Sequence, residues 1–273
     1  MSVKFYENAL TALKKANAAR KMVLAGKAGY SSVEEYKSFL ESQVRETKDK
    51  ESLGHLVDLA DENGTSKPKV KKEKPVVIVF DIVDCSSSMS GAKLSSAVKG
   101  VNNGVSEMKK ETLVDYKYGL CDFSGRHDCN ITNIKSIKDV STFEFWSRGM
   151  TALNDAVVKV LNKIKNEKTP EQKALVNIYT DGEENCSASS DAQVKKLVRE
   201  CEANGFTITF IGTERDTRNI IRTFDIKESN TQSYDGTADG LANSMILNAS
   251  ARGTYANKLS KGLDVTVGFF QRY

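Results

Sequence analysis

Residues 76–89 read VVIVFDIVDCSSSM. Val76 to Phe80 are apolar without interruption, and Ile82 and Val83 extend the run past Asp81. Near-continuous apolarity of this kind is required of a strand covered on both faces, as in a parallel sheet flanked by helices. The run ends in Asp84-Cys85-Ser86-Ser87-Ser88-Met89, which reads as a loop entering a helix. In extended chain, Asp84, Ser86 and Ser88 fall at alternate positions and point their side chains one way. Asp81 lies three residues before Asp84 and so on the opposite face, where a buried carboxylate needs a partner to offset its desolvation. A Lys or Arg from the N-terminal region is the expected partner, preferred over a second site at Asp81.

Downstream, strand-like and helix-like segments alternate. GAKLSSAVKGVNNGVSEMKK (91–110) is followed by DYKYGLCDFS (115–124), TALNDAVVKVLNKIKN (151–166) and ALVNIYT (174–180), then SDAQVKKLVRECEANG (190–205) and TITFIG (207–212). This alternation predicts an α/β domain over residues 75–256, a doubly wound, mostly parallel sheet flanked by helices. A further helix begins near Thr237, and residues 257–273, ending in DVTVGFFQRY, are expected to pack on the body. Upstream, residues 1–62 read as a small helical extension. Tyr6, Leu10 and Leu13 recur near a helical period, and Ser32 with Glu35 has the form of a capping box before Val33, Tyr36 and Leu40. Residues 63–74 form a basic linker, with Lys67, Lys69, Lys71, Lys72 and Lys74 in one run.

Composition bounds the function. Of the 273 residues 39% are hydrophobic and 28% charged, as expected of a soluble domain with a core. The apolar run at residues 76–80 is far short of the roughly 20 residues a membrane span needs. The first residues mix charge with apolar side chains and contain no signal-type apolar core, so a cytoplasmic location is expected. Five cysteines with no Cys-x-x-Cys pair and only two histidines, His55 and His127, support neither a disulfide framework nor a zinc site. Cys85 and Cys186 flank the loops of interest and are expected to act as small buried fillers. Residues 1–75 hold 15 Lys/Arg against 11 Asp/Glu and the remainder 25 against 25. The basic run lacks interleaved aromatics, which weighs against nucleic-acid binding.

Ligands of doubly wound sheets bind at the carboxyl ends of the strands. There the sequence places Asp84, Ser86 and Ser88 after one strand, Asp181 in Thr180-Asp181-Gly182-Glu183-Glu184-Asn185 after another, and Thr151 at the mouth of a helix between them. Two carboxylates and three hydroxyls form a hard-oxygen set suited to Mg2+, Mn2+ or Ca2+. The low carboxylate count favours Mg2+, which keeps part of its water shell. An incomplete protein shell would leave a position for an outside oxygen. Catalytic patterns are missing: Asp81 and Asp84 are not spaced Asp-x-Asp, Gly91-Ala92-Lys93 lacks the rest of a phosphate loop, and no Gly-x-Ser-x-Gly occurs. A metal-assisted hydrolase would need a general base, for which Glu183 and Glu184 are the nearby candidates.

Asp84-x-Ser86-x-Ser88-Met89, Gly149-x-Thr151-Ala152-Leu153-x-Asp155-Ala156 and Thr180-Asp181-Gly182-Glu183 together resemble the metal-ion-dependent adhesion site of the von Willebrand factor A family. The three elements occur in that family's order, with 67 residues from Asp84 to Thr151 and 30 on to Asp181. The resemblance implies that Ser86 and Ser88 bind the metal directly, that Thr151 does so in at least one state, and that Asp84 and Asp181 bind directly or through water. It also implies that a partner's Glu or Asp carboxylate takes the open position and that the protein is a non-enzymatic interaction or assembly module. The wording TDGEEN is similar to that of intracellular prokaryotic and phage-encoded members, which implies an AAA+ ATPase or virion proteins as partners. The alternative is a component of a larger, even virion, assembly in which the metal is only structural. Ser87 stands where the family usually has Gly, so a stiffer loop is expected.

Overall fold

The computed structural model describes residues 74–271 and, in the N-terminal region, Lys37 alone. The chain divides into two compact units, residues 1–72 and 73–273. The helices and capping box expected within residues 1–62, and all of the basic linker but Lys74, lie outside the described residues.

The apolar run forms β1 (Val76–Asp84), a central strand. Val77, Val79 and Val83 enter one core layer and Ile78, Phe80 and Ile82 the other, so both faces are covered. On one side β1 pairs in parallel with β2 (Asp115–Phe123), whose outer edge carries the short antiparallel strands β3 (Cys129–Ile131) and β4 (Lys135–Ser136). On the other side it pairs in parallel with β5 (Lys173–Tyr179), followed by β6 (Phe206–Thr213) and β7 (Thr231–Tyr234). The order β3-β2-β1-β5-β6-β7 leaves β1 in one direction and returns in the other. The crevice of a doubly wound sheet opens at that reversal, above the carboxyl end of β1.

Helix α1 (Ala92–Lys110) buries Leu94, Ala97, Val101, Val105 and Met108, the i, i+3, i+4 stripe of an amphipathic helix. It packs against the sheet face shared with α5 (Ala238–Ser260), the helix expected from Thr237. Contact between these two helices is close: a Cβ on Gly104 would meet Arg252 Nη2 at 2.3 Å. The opposite face is covered by α2 (Leu153–Glu167), which buries Val157, Val160, Leu161 and Ile164, and by α3 (Asp191–Ala203) and α4 (Glu214–Phe224). Burying each large aliphatic side chain stabilises the fold by about 1.5–3 kcal/mol. Capping boxes at Ser190/Gln193 and Thr213/Asp216 satisfy the first turns of α3 and α4. Past α5, Val265 and Phe269 are buried, with Phe269 set against Tyr255 at 6.0 Å between ring centroids. Among the described residues no helix is long and apolar enough to cross a membrane.

Asp81 faces the layer containing α5, as the alternation requires, but among the described residues its partners are not N-terminal. Its carboxylate accepts bonds from Tyr118 Oη and Asn177 Nδ2, both at 2.7 Å, and Arg252 Nη1 of α5 lies 4.0 Å away. Asn177 Oδ1 in turn accepts from Thr209 Oγ1 at 2.8 Å and Asn248 Nδ2 at 3.2 Å. This buried polar network spans β1, β2, β5, β6 and α5, and it gives Asp81 a structural role.

Candidate metal centre

Three chain segments meet above β1. The register that sets Val83 beside Tyr179 carries Asp84 next to Thr180, the residue after β5. Asp84 is fully buried, and Thr180 Oγ1 donates to its Oδ2 at 2.5 Å while the Ser86 amide donates to its Oδ1 at 2.7 Å. Burial pushes the Asp84 carboxyl up to about 6, with the Asp181 charge adding to the rise and the Thr180 and Ser86 bonds opposing it. The groups bonded to this carboxylate are uncharged, so it is a buried anion site that a cation would relieve.

Residues 86–89 leave the strand in a single 3-10 turn at Ser87–Met89. Ser86 Oγ and Ser88 Oγ are 3.0 Å apart, and Ser88 Oγ donates to Asp181 Oδ1 at 2.7 Å. Ser87, where the family pattern usually has Gly, does not have a left-handed backbone. Its hydroxyl and amide instead donate to the Gly149 carbonyl at 2.9 and 3.2 Å. A serine there ties two site loops together at no backbone cost. Gly149 itself has φ 62, a turn at which an L side chain is strained.

The second loop is clamped from several sides. The Arg148 amide donates to the Cys85 carbonyl at 2.8 Å, and the Ala152 amide to the Ser124 carbonyl at 2.6 Å. The Thr151 amide donates to Asn185 Oδ1 at 2.9 Å, and the Asn185 amide returns a bond to the Thr151 carbonyl at 3.0 Å. Glu184 is consumed in holding the third loop: Oε2 accepts from the Asn154 amide and Ser187 Oγ, and Oε1 from the Cys186 and Ser187 amides. Glu183 pairs with Arg215 on the surface. Both carboxylates considered as a general base are therefore engaged elsewhere.

Asp84, Ser86, Ser88, Thr151 and Asp181 are all brought to one place. The sharpest measure is Gly182: a Cβ there would lie 3.2 Å from Ser88 Oγ, 3.3 Å from Thr151 Oγ1 and 3.6 Å from Asp84 Oδ2. Oxygens from two separate segments, the β1 loop and the Thr151 loop, thus surround a point on the third. Among the described residues there is no metal-binding cluster of three or more His, Cys, Asp or Glu, so this centre rests on two carboxylates and three hydroxyls. That donor set fits a hard cation. Cys85 is fully buried, with its thiol pushed up to about 12 chiefly by burial, which suits a filler; Cys186 is only partly buried.

Sequence reasoning missed Lys93 in the first turn of α1. Its ammonium pairs with Asp181 Oδ2 and lies 3.4 Å from the Ser88 carbonyl, which places a positive charge at the rim of the centre. Thr180 and Asn185 were legible as parts of a motif but not as loop-fixing groups. Recognising that β1 and β5 are parallel neighbours is the signal that would have placed Thr180 against Asp84.

Comparison with known proteins agrees with this arrangement at the level of the domain. The family model for the von Willebrand factor type A domain matches residues 76–240, more than half of the chain. Inter-alpha-trypsin inhibitor heavy chain H3 of Pongo abelii is 27% identical over 140 residues, 48% of this chain but only 16% of that protein's length. Among solved structures, the pilus adhesin SpaC from Lactobacillus rhamnosus GG in its open conformation superposes with a TM-score of 0.52. It is 15% identical, over 71% of this chain and 31% of the adhesin. At that identity the likeness speaks for the fold.

Proposed function

The chain belongs to the von Willebrand factor type A domain family, and on that premise we propose that residues 74–271 form a metal-dependent protein-interaction module. Domains of this family are commonly protein-interaction modules. In this reading Asp84, Ser86, Ser88, Thr151 and Asp181 hold one divalent cation, with Mg2+ preferred over Mn2+ and Ca2+. When bound, the cation supplies a positive centre with a coordination position that an Asp or Glu carboxylate of another protein fills. The observation that carries the reading is the convergence of Ser88 Oγ, Thr151 Oγ1 and Asp84 Oδ2 about one point over Gly182.

The surroundings support a protein as the ligand. Trp146 is 67% exposed and Met150 54%, and both lie on the loop that carries Thr151, so apolar surface stands beside the polar centre. Exposed aromatic and methionine side chains next to a fixed polar anchor are typical of protein-binding surfaces. The bonds that hold Glu184 in its loop, and the surface ion pair of Glu183 with Arg215, weigh against a metal-assisted hydrolase that uses either as its base.

The reading is tested by thermal unfolding in EDTA and in Mg2+ or Mn2+, for wild type and Asp181→Ala. Wild type is expected to be stabilised by metal and the variant not. Affinity capture with and without EDTA then addresses the partner, whose retention is expected only with metal. No metal-dependent shift in wild type sinks the metal centre, and equal capture under both conditions sinks the metal-mediated contact.

A further inference from the structure

Cys121 and Cys129 lie outside the metal centre. β2 and β3 pair antiparallel with Cys121 opposite Ile131 and Cys129 opposite Phe123, so the two cysteines are diagonal neighbours on one face of the hairpin. Their sulfurs are 3.4 Å apart, in van der Waals contact, and both thiols are free. Their exposure differs: Cys121 is buried, whereas Cys129 is partly exposed. The Cys129 thiol is held below its ordinary range chiefly by its hydrogen bond with Cys121, with Lys159 assisting and burial opposing. Cys121 is raised by the same shared proton and by burial. A partly exposed cysteine whose sulfur touches that of a second, buried cysteine is the arrangement of an attacking and a resolving thiol.

We propose that Cys121 and Cys129 form a reactive dithiol that takes a low-molecular-weight disulfide as co-reactant and closes to an intramolecular disulfide. In the first step Cys129 Sγ, as thiolate, attacks one sulfur of the small disulfide; its S–S bond breaks and one small thiolate leaves. In the second, Cys121 Sγ attacks Cys129 Sγ and expels the second small thiolate, which takes up the Cys121 proton. Two protein thiols are oxidised and one small disulfide is reduced to two thiols. The sulfurs must close from 3.4 Å to about 2.05 Å. That movement falls on β3, which has three residues and lies at the sheet edge. The other cysteines lack this pairing. Cys85 and Cys201 are buried with raised thiols, and the thiol of Cys186 is also raised, chiefly by burial. Closure would fix the hairpin whose Ser124 carbonyl accepts the Ala152 amide, next to Thr151.

The test uses the full chain, reduced, freed of reductant and incubated with oxidised glutathione, then alkylated and mapped by mass spectrometry. The expected product is a Cys121–Cys129 cross-link, with the loss of two alkylatable thiols. In Cys121→Ser the reaction is expected to stop as a glutathione adduct at Cys129, and in Cys129→Ser Cys121 is expected to stay unmodified. Circular dichroism establishes that the serine variants fold; if they do not, wild-type mapping decides alone. Retention of both thiols in wild type, a persistent Cys129 adduct without cross-link, or faster reaction at Cys186 would each overturn the proposal.

Discussion

Replacing Gly182 by Ala probes the centre without deleting any of its oxygens. The added methyl would lie 3.2–3.3 Å from Ser88 Oγ and Thr151 Oγ1, so these hydroxyls must yield by a few tenths of an ångström. The fold is expected to tolerate this. Gly182 has no left-handed backbone, and Gly→Ala at such a position contributes about 0.4–1 kcal/mol through the unfolded chain. Metal-free stability is therefore expected within about 1 kcal/mol of wild type. Cation binding is affected differently, because oxygens must draw to about 2.0–2.1 Å from Mg2+ and the methyl occupies the space they surround. At a hundred times its Kd a cation stabilises by about 2.7 kcal/mol. At roughly 2–4 °C per kcal/mol for a unit of this size, wild type should gain about 5–11 °C in Tm. Gly182→Ala should gain less than about 2 °C in the same saturating Mg2+, read by differential scanning fluorimetry against EDTA controls. An undiminished Mg2+ shift in the variant would refute the idea that these oxygens close on the point above Gly182.

Other perturbations test neighbouring parts of the argument. In EDTA, between pH about 4 and 6, Asp84 with its pKa near 6 keeps a proton in the folded protein that the unfolded chain has released. It therefore contributes stability below pH about 4 that is lost as pH rises through about 6, on the order of 3 kcal/mol. Urea titrations of wild type and Asp84→Asn should differ by that slope between pH 4 and 6, and parallel curves would remove the buried-acid account. Arg252→Met leaves the Asp81 charge buried without its cation and should cost about 3–5 kcal/mol in chemical denaturation; a cost below about 1 kcal/mol would mean that Tyr118 and Asn177 suffice. Lys93→Met removes a cation that an incoming metal must displace from Asp181, so Mn2+ should bind several-fold more tightly by calorimetry. Weaker binding would make Lys93 a supporting group instead.

The parts of the fold that were legible are those buried on both faces. β1, β5 and β6 announce themselves because a central parallel strand must be largely apolar on both faces, and α1, α2 and α3 because their stripes repeat at helical spacing. The sheet margins were not legible. β7 is Thr-Gln-Ser-Tyr, a polar edge strand, and β3 and β4 have three and two residues, so none carries a hydrophobic run. Apart from Ile220, Ile221 and Phe224 α4 is polar, and these three crowd into its last turns, so no apolar stripe runs along it. That the five candidate site residues would meet was readable, since each lies at a strand end or helix mouth. The fastenings were not: Lys93 on Asp181, Asn185 on Thr151 and Arg252 near Asp81 depend on which segments become neighbours, and spacing along the chain does not contain that information.

The bond from Thr180 to Asp84 joins residues 96 apart in the sequence. Such contacts form late, because the entropy of closing the intervening loop must be met before any contact offsets it. A chain emerging from the ribosome holds Asp84, Ser86 and Ser88 long before β5 and Asp181 exist, and in that interval it has a serine loop but no cation centre. If these residues hold a cation as proposed, its affinity reports that the β1–β5 pairing has been made. A partner that reads the cation would pass over nascent or truncated chains and engage only molecules whose central sheet is complete.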